Sequence, residues 1–404
     1  MSARADASPI ASFWSGGYEG ADHVNGAGHA LDMQCASGHL ARLDEDYRLA
    51  AEAGLRSIRE SIGWRLCERP GGHIDLARVE RIAWCARRHG VQVLWSLMHY
   101  GLPADLSLHD DAMIERFARF AAEVARLLKP FHAQAPVYTP VNEIGYLAWA
   151  ASQPQLMAPP NNYAGGTSEG AVASGYAVKR RLVRAALAGV TAIRAVDTRA
   201  RFLHVEPVCH VVAPVGQQQL AEHAARIRSW QWQVWDLLAG HVEPELGGST
   251  EALDMLGINH YHSSQWEVGT EDRLHWHLRD PRRLPLGDLL EEAWLRYRRP
   301  LMIAETGHVG SGRADWLNDM AAEVRRVRDL PDGRGVPLWG FCLYPLIDRP
   351  DWNEPQRWHE SGLWQVDPLS QCRSAVAPYL QALQAWQREW PPELMVKRSA
   401  AAGA

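Results

Sequence analysis

No run in this 404-residue chain approaches the ~20 consecutive apolar residues of a membrane helix, which excludes an ordinary spanning segment. The opening residues, Met1–Ser12, lack an apolar stretch behind a basic start, so they do not read as a secretory leader, and a cytoplasmic protein is expected. Lysine occurs only at Lys129, Lys179 and Lys397, and the net charge is −5. Without a basic excess, neither nucleic acid nor an anionic membrane is an expected partner. The six cysteines (Cys35, Cys67, Cys85, Cys209, Cys342, Cys372) show no paired metal-ligand spacing and read as reduced, mostly buried thiols. No linker rich in Pro, Gly or Ser divides the chain, and no short-period repeat appears. These absences predict one large globular domain over residues 1–392, followed by a disordered tail at 393–404.

What the chain does contain is alternation. Short β-like runs are predicted at Ala11–Gly16, Ser57–Ile62, Val91–Met98, Val137–Asn142, Phe202–Glu206, Met255–Tyr261, Leu301–Ala304 and Leu338–Leu343. Helix-period stretches follow them at Leu43–Ala53, Leu76–Arg88, Ala112–Leu128, Glu169–Ala195, Gln217–Leu238, Leu286–Arg298, Arg313–Arg328 and Arg373–Arg388. Eight β-then-α units predict a single (β/α)8 TIM barrel rather than a doubly wound sheet. Three connections, Asp22–His39, Ile144–Thr167 and His262–Pro285, are long βα loops that would lie over the C-terminal face of such a barrel. Eighteen tryptophans are many for this length. Trp230, Trp232 and Trp235 read as packing residues, whereas Trp266 and Trp276 are candidates for a cleft wall.

Two of the predicted strands end on glutamate: Val137–Glu143 (V-Y-T-P-V-N-E) and Leu301–Glu305 (L-M-I-A-E). A carboxylate there sits at the barrel's chemical face. Two facing carboxylates, one to donate a proton and one to attack, are what cleavage of a sugar bond requires. Asn142, beside Glu143, can donate to a sugar hydroxyl. Arg59 is a charge inside a strand, explained either by a partner such as Glu305 or by a structural ion pair with Glu60 or Glu52. Glu206 ends its own strand and either lines the cleft or caps the next turn. The pairs His260/His262 and His275/His277 lack a third ligand cluster, so neither a metal nor another cofactor is expected.

Six segments, in register from the second strand to the eighth, resemble the motifs of the family 1 glycoside hydrolases, a family of retaining (β/α)8 glycosidases. Ile58–Trp64 (I-R-E-S-I-G-W) resembles Y-R-F-S-I-S-W, and Leu97–Leu106 (L-M-H-Y-G-L-P-A-D-L) resembles L-x-H-W-D-L-P-x-x-L. Pro140–Ile144 (P-V-N-E-I) resembles T-F-N-E-P, and Met255–Tyr261 (M-L-G-I-N-H-Y) resembles F-x-G-I-N-Y-Y. Pro300–Gly307 (P-L-M-I-A-E-T-G) resembles P-L-Y-I-T-E-N-G, and Tyr344–Trp352 (Y-P-L-I-D-R-P-D-W) resembles W-S-L-L-D-N-F-E-W.

The resemblance implies Glu143 as acid/base and Glu305 as nucleophile, with Arg59 and Tyr261 holding Glu305. It implies His99, Asn142, Tyr344, Asp351 and Trp352 as sugar-binding residues, with Glu19 nearest to the family's glutamine on the first strand. A carbohydrate or glycoside is the implied partner, and the family contains both monomers and larger assemblies. Departures cluster at the hydroxyl-reading positions: Tyr344 for tryptophan, Asp351 for glutamate, Gly101 for aspartate and Thr306 for asparagine. The expected reaction is therefore retaining, exo-acting β-glycoside hydrolysis, with the sugar left open. A transglycosidase on the same scaffold and a non-catalytic carbohydrate-binding barrel are the alternatives.

Overall fold

The computed structural model describes residues 7–390 except 160, 163–168, 271 and 331–334. The domain boundary at 392, the tail at 393–404 and part of the connection 144–167 lie outside them. Eight strands close a parallel barrel: β1 (Trp14–Gly17), β2 (Ser57–Ser61), β3 (Gln92–Met98), β4 (Val137–Val141), β5 (Arg201–Pro207), β6 (Met255–Asn259), β7 (Leu301–Thr306) and β8 (Leu338–Leu343). Each pairs with its sequence neighbours, and β1 pairs with β8 to shut the ring. The predicted (β/α)8 architecture is the one observed.

Burial on both faces explains why these strands read as nearly continuous apolar runs. Leu94, Val137, Leu203, Val205, Met255, Met302, Ala304 and Cys342 fill the barrel interior. Alternate residues such as Ile58, Tyr138, Phe202, Leu256 and Ile303 pack outward against the helices. The helix Ala112–Leu128 buries Met113, Phe117, Phe120, Ala121, Val124, Ala125 and Leu128, a stripe at helical spacing.

Two helix predictions are revised. Gln217–Leu238 is broken into Ala221–Ser229, a 3-10 turn at Trp230–Trp232, and Gln233–Leu238. At the break the Ser229 hydroxyl donates back to the Arg226 carbonyl, a bond that bends helices, and the Trp232 carbonyl accepts from Tyr297 instead. The last helix begins at Ala377 rather than Arg373, because Arg373–Ala375 pairs with Trp364–Val366 as a hairpin. Pro378 then occupies the first turn, where its missing N–H costs nothing. Among the described residues no helix is long and apolar enough to cross a membrane.

Candidate active site

A bulge in β7 aims the first carboxylate. Ile258 pairs with Ile303, yet the next pair along is Asn259 with Glu305, so β7 carries one extra residue. Without the bulge, the inward set Met302, Ala304 would continue to Thr306. With it, Glu305 turns into the barrel mouth. Thr306 turns outward, where its hydroxyl donates to the His260 carbonyl and accepts from the Trp316 indole.

Glu305 is buried, and each oxygen accepts one bond: Oε1 from Arg59 at 2.8 Å, Oε2 from the Tyr261 hydroxyl at 2.8 Å. Arg59 is itself 2% exposed. Its guanidinium also donates to the Ala304 carbonyl at 2.7 Å, Ser96 at 3.3 Å and the Asn142 side-chain oxygen at 3.0 Å. Burial alone would weaken the Arg59 charge, but the adjacent Glu305 carboxylate more than offsets this and raises its pKa. The ion pair with Glu60 or Glu52 is not formed. Glu60 faces the opposite side of β2, and Glu52 pairs with Arg48.

The second carboxylate follows β4. The Asn142 and Glu143 amides donate to the Met98 and Val205 carbonyls, so both adjoining strands hold this turn. Glu143 has a φ of 47° and heads the helix Ile144–Ala150. Its Oε1 accepts from Asn259 Nδ2 at 2.8 Å and its Oε2 from the Tyr100 hydroxyl. Burial first, then the nearby Glu305 charge, pushes the Glu143 carboxyl up to about 7. A carboxyl there keeps its proton through much of the neutral range, as a general acid must. Glu206 faces the helix layer behind it and accepts the Gly145 amide at 2.9 Å, so it caps that helix rather than lining the barrel interior.

Asn142 links the two halves. Its oxygen accepts from Arg59, which leaves its Nδ2 to donate to His99 Nε2 at 3.2 Å. Burial pushes the His99 pKa down to about 4, so the imidazole is neutral at pH 7 with its proton on Nδ1. Tyr344 lies under Arg59, 5.9 Å from guanidinium carbon to ring centroid, and its hydroxyl accepts the Gly20 amide. Gly17 makes this approach possible: a Cβ there would come within 2.7 Å of the Tyr344 ring.

Glu19 is buried and pairs with Arg349 at 3.2 Å, and Arg349 lies over the Trp352 ring. Trp352 also meets Tyr100 and His23 edge to face. The Asp351 carboxylate is engaged in its own loop, accepting from the Asn353 and Glu354 amides and contacting His359 at 2.7 Å. Trp232 and Trp235 pack as read, beside Tyr297. Trp276 rests against His308 and Trp316.

Tyr100 and Asn259 lie within the motifs without an implied role, yet they hold both Glu143 oxygens. Arg349 and Ser96 were likewise unassigned. Among the described residues, one group, Asp44, Cys85 and His89, has metal-holding spacing. It lies outside the barrel, where Arg88 and His89 already occupy the Asp44 carboxylate.

The fold and this pocket define a class: a (β/α)8 barrel with a buried carboxylate pair at the C-terminal mouth. The structures it is similar to include β-glucosidases. The β-glycosidase BGL167 superposes with a TM-score of 0.71 at 20% identity, over 96% of this chain and 98% of that one. The family 1 β-glucosidase of Thermotoga maritima gives 0.68 at 15% identity, over 94% and 98%. At such identities the likeness is one of fold. By sequence, Beta-glucosidase 8 of Arabidopsis thaliana is 33% identical over 130 residues, which is 30% of this chain and spans 25% of that relative's length. No protein-family model matches the chain.

Proposed function

We propose that the chain is a divergent family 1 glycoside hydrolase, a retaining, exo-acting β-glycosidase working by double displacement. Glu305 attacks the anomeric carbon while Glu143 passes its proton to the departing oxygen, leaving a glycosyl ester on Glu305. Glu143, now a base, takes a proton from water. The water oxygen bonds the same carbon and frees Glu305, so the sugar leaves with its original configuration. Arg59 and Tyr261 hold and aim Glu305. His99 Nδ1, Asn142, Tyr344 and Glu19 face the sugar, and the buried Trp352 Nε1, which has no partner among the described residues, is a donor for one of its hydroxyls. Asp351 reads outer hydroxyls through whatever acceptor capacity its loop leaves.

One observation carries this reading. A single buried guanidinium touches Glu305 and Asn142 together, and burial beside Glu305 pushes the carboxyl following Asn142 up to about 7. The likeness to β-glucosidases makes glucose the first sugar to try. A screen of p-nitrophenyl glycosides of both anomers should find turnover on a β-anomer. Proton NMR should show the β-hemiacetal as first product, and a 2-deoxy-2-fluoro glycoside should label Glu305. An α-hemiacetal first product, or a label elsewhere, rules the mechanism out.

A further inference from the structure

Glu143 must serve as acid in one half-reaction and base in the next, so its hydrogen-bond partners must tolerate both states. Its two oxygens have unlike neighbours. Asn259 Nδ2 can only donate, so Oε1 must always accept, and the exchangeable proton belongs on Oε2. There the partner is the Tyr100 hydroxyl, which can donate to a carboxylate or accept from a carboxylic acid. Asn142 Nδ2 lies 3.4 Å behind the Tyr100 oxygen.

The backbone keeps that hydroxyl in place. Tyr100 has a φ of 86°, a left-handed conformation disfavoured for a bulky side chain. Asp22 clamps it from both sides: its amide donates to the His99 carbonyl at 3.2 Å and its carboxylate accepts the Gly101 amide at 2.8 Å. A Cβ at Gly101 would stand 2.5 Å from the Asp22 carbonyl oxygen, which accounts for glycine there. The family motif has tryptophan and aspartate at 100 and 101, so the hydroxyl and the glycine that admits its clamp are paired departures.

We propose, on the glycosidase reading above, that Tyr100 is a positioning residue that holds Glu143 Oε2 and follows its proton through both half-reactions. The titratable groups that interact electrostatically with Glu143 are Glu305, Arg59, Glu206, Tyr100, Tyr146 and Tyr261. Of these, Tyr100 donates directly to Oε2, which favours the ionised form. Tyr100→Phe removes one atom and should raise the alkaline limb of kcat/KM by about one pH unit. It should also slow hydrolysis of a phenyl glycoside about 10- to 100-fold, because that leaving group needs the acid. The 2,4-dinitrophenyl glycoside, which does not, should lose less than about threefold in the glycosylation step. Both substrates carry the sugar selected by the screen. Equal losses on the two substrates, or an unmoved limb, overturn the proposal. Failure of the glycosidase reading would show separately, as wild-type rates from Glu143→Gln on the phenyl glycoside.

Discussion

Arg59 and Glu60 are neighbours on β2 and face opposite worlds. Arg59 points into the barrel mouth, where several buried polar atoms have no partner among the described residues: its own Nε, Ser61 Oγ, Asn259 Oδ1, Asp22 Oδ2 and Trp352 Nε1. Glu60 points out toward the helix Leu43–Glu52, into a network with no such orphan among His39, Asp46, Tyr47 and Glu60. Glu60 accepts from Gln34 at 2.7 Å and Tyr47 at 2.9 Å and meets His39 at 2.9 Å. His39 and Arg373 together hold Asp46. Both regions are buried and charged. One gathers its charges at the barrel mouth, whereas the other ties the loop before that helix, the helix and the C-terminal hairpin to one strand.

The largest effect of that division is catalytic. Glu305→Gln, which keeps the shape, should cut kcat about a thousandfold or more. Activity within tenfold of wild type would remove Glu305 from the chemistry. The mirror-image change, Glu60→Gln, should cost about 3 kcal/mol of stability and leave the 25 °C rate within about twofold. Denaturant titration and steady-state kinetics on one preparation decide it. A large rate loss without lost stability would mean the two faces of β2 are coupled.

A subtler effect is pH-dependent. Burial opposes the His39 charge, but Glu60 and Asp46 overcome it and push its pKa up to about 9. That exceeds the ~6.5 of an unfolded histidine, so its contribution is complete below ~6.5 and is lost as pH climbs through about 9. Melting temperature should fall between pH 7 and 9.5, and His39→Gln should flatten that fall. An equally steep fall in the variant assigns it to other groups. The smallest effect belongs to the exposed pair Arg48–Glu52. Glu52→Ala should leave melting unchanged within error, and a clear drop would show that surface pairs here rival the buried network.

The barrel was legible because period-2 and period-3.6 hydrophobic patterns are local signals, and so were the strand-end glutamates. The bulge in β7 was not. It shows only in register against β6 and β8, and without it the alternation would turn Glu305 outward. Tyr100 was hidden for a similar reason, since its role depends on a left-handed backbone clamped by Asp22, 79 residues upstream of Gly101. Asp351 matched a sugar-reading position by motif, yet neighbouring amides and His359 surround its carboxylate. A motif identifies a residue without saying what else competes for its oxygens.

The seam between β1 and β8 has a consequence for how the molecule is made. Ser15 donates to the Phe341 carbonyl across 326 residues of chain, and β1, only four residues long, has just β2 and β8 beside it. On a ribosome, the first strand must wait until β8, some 326 residues later, has emerged before its second edge is covered. Ring closure therefore follows the emergence of β8, and Arg59 acquires its partner on β7 only after 246 further residues have been made.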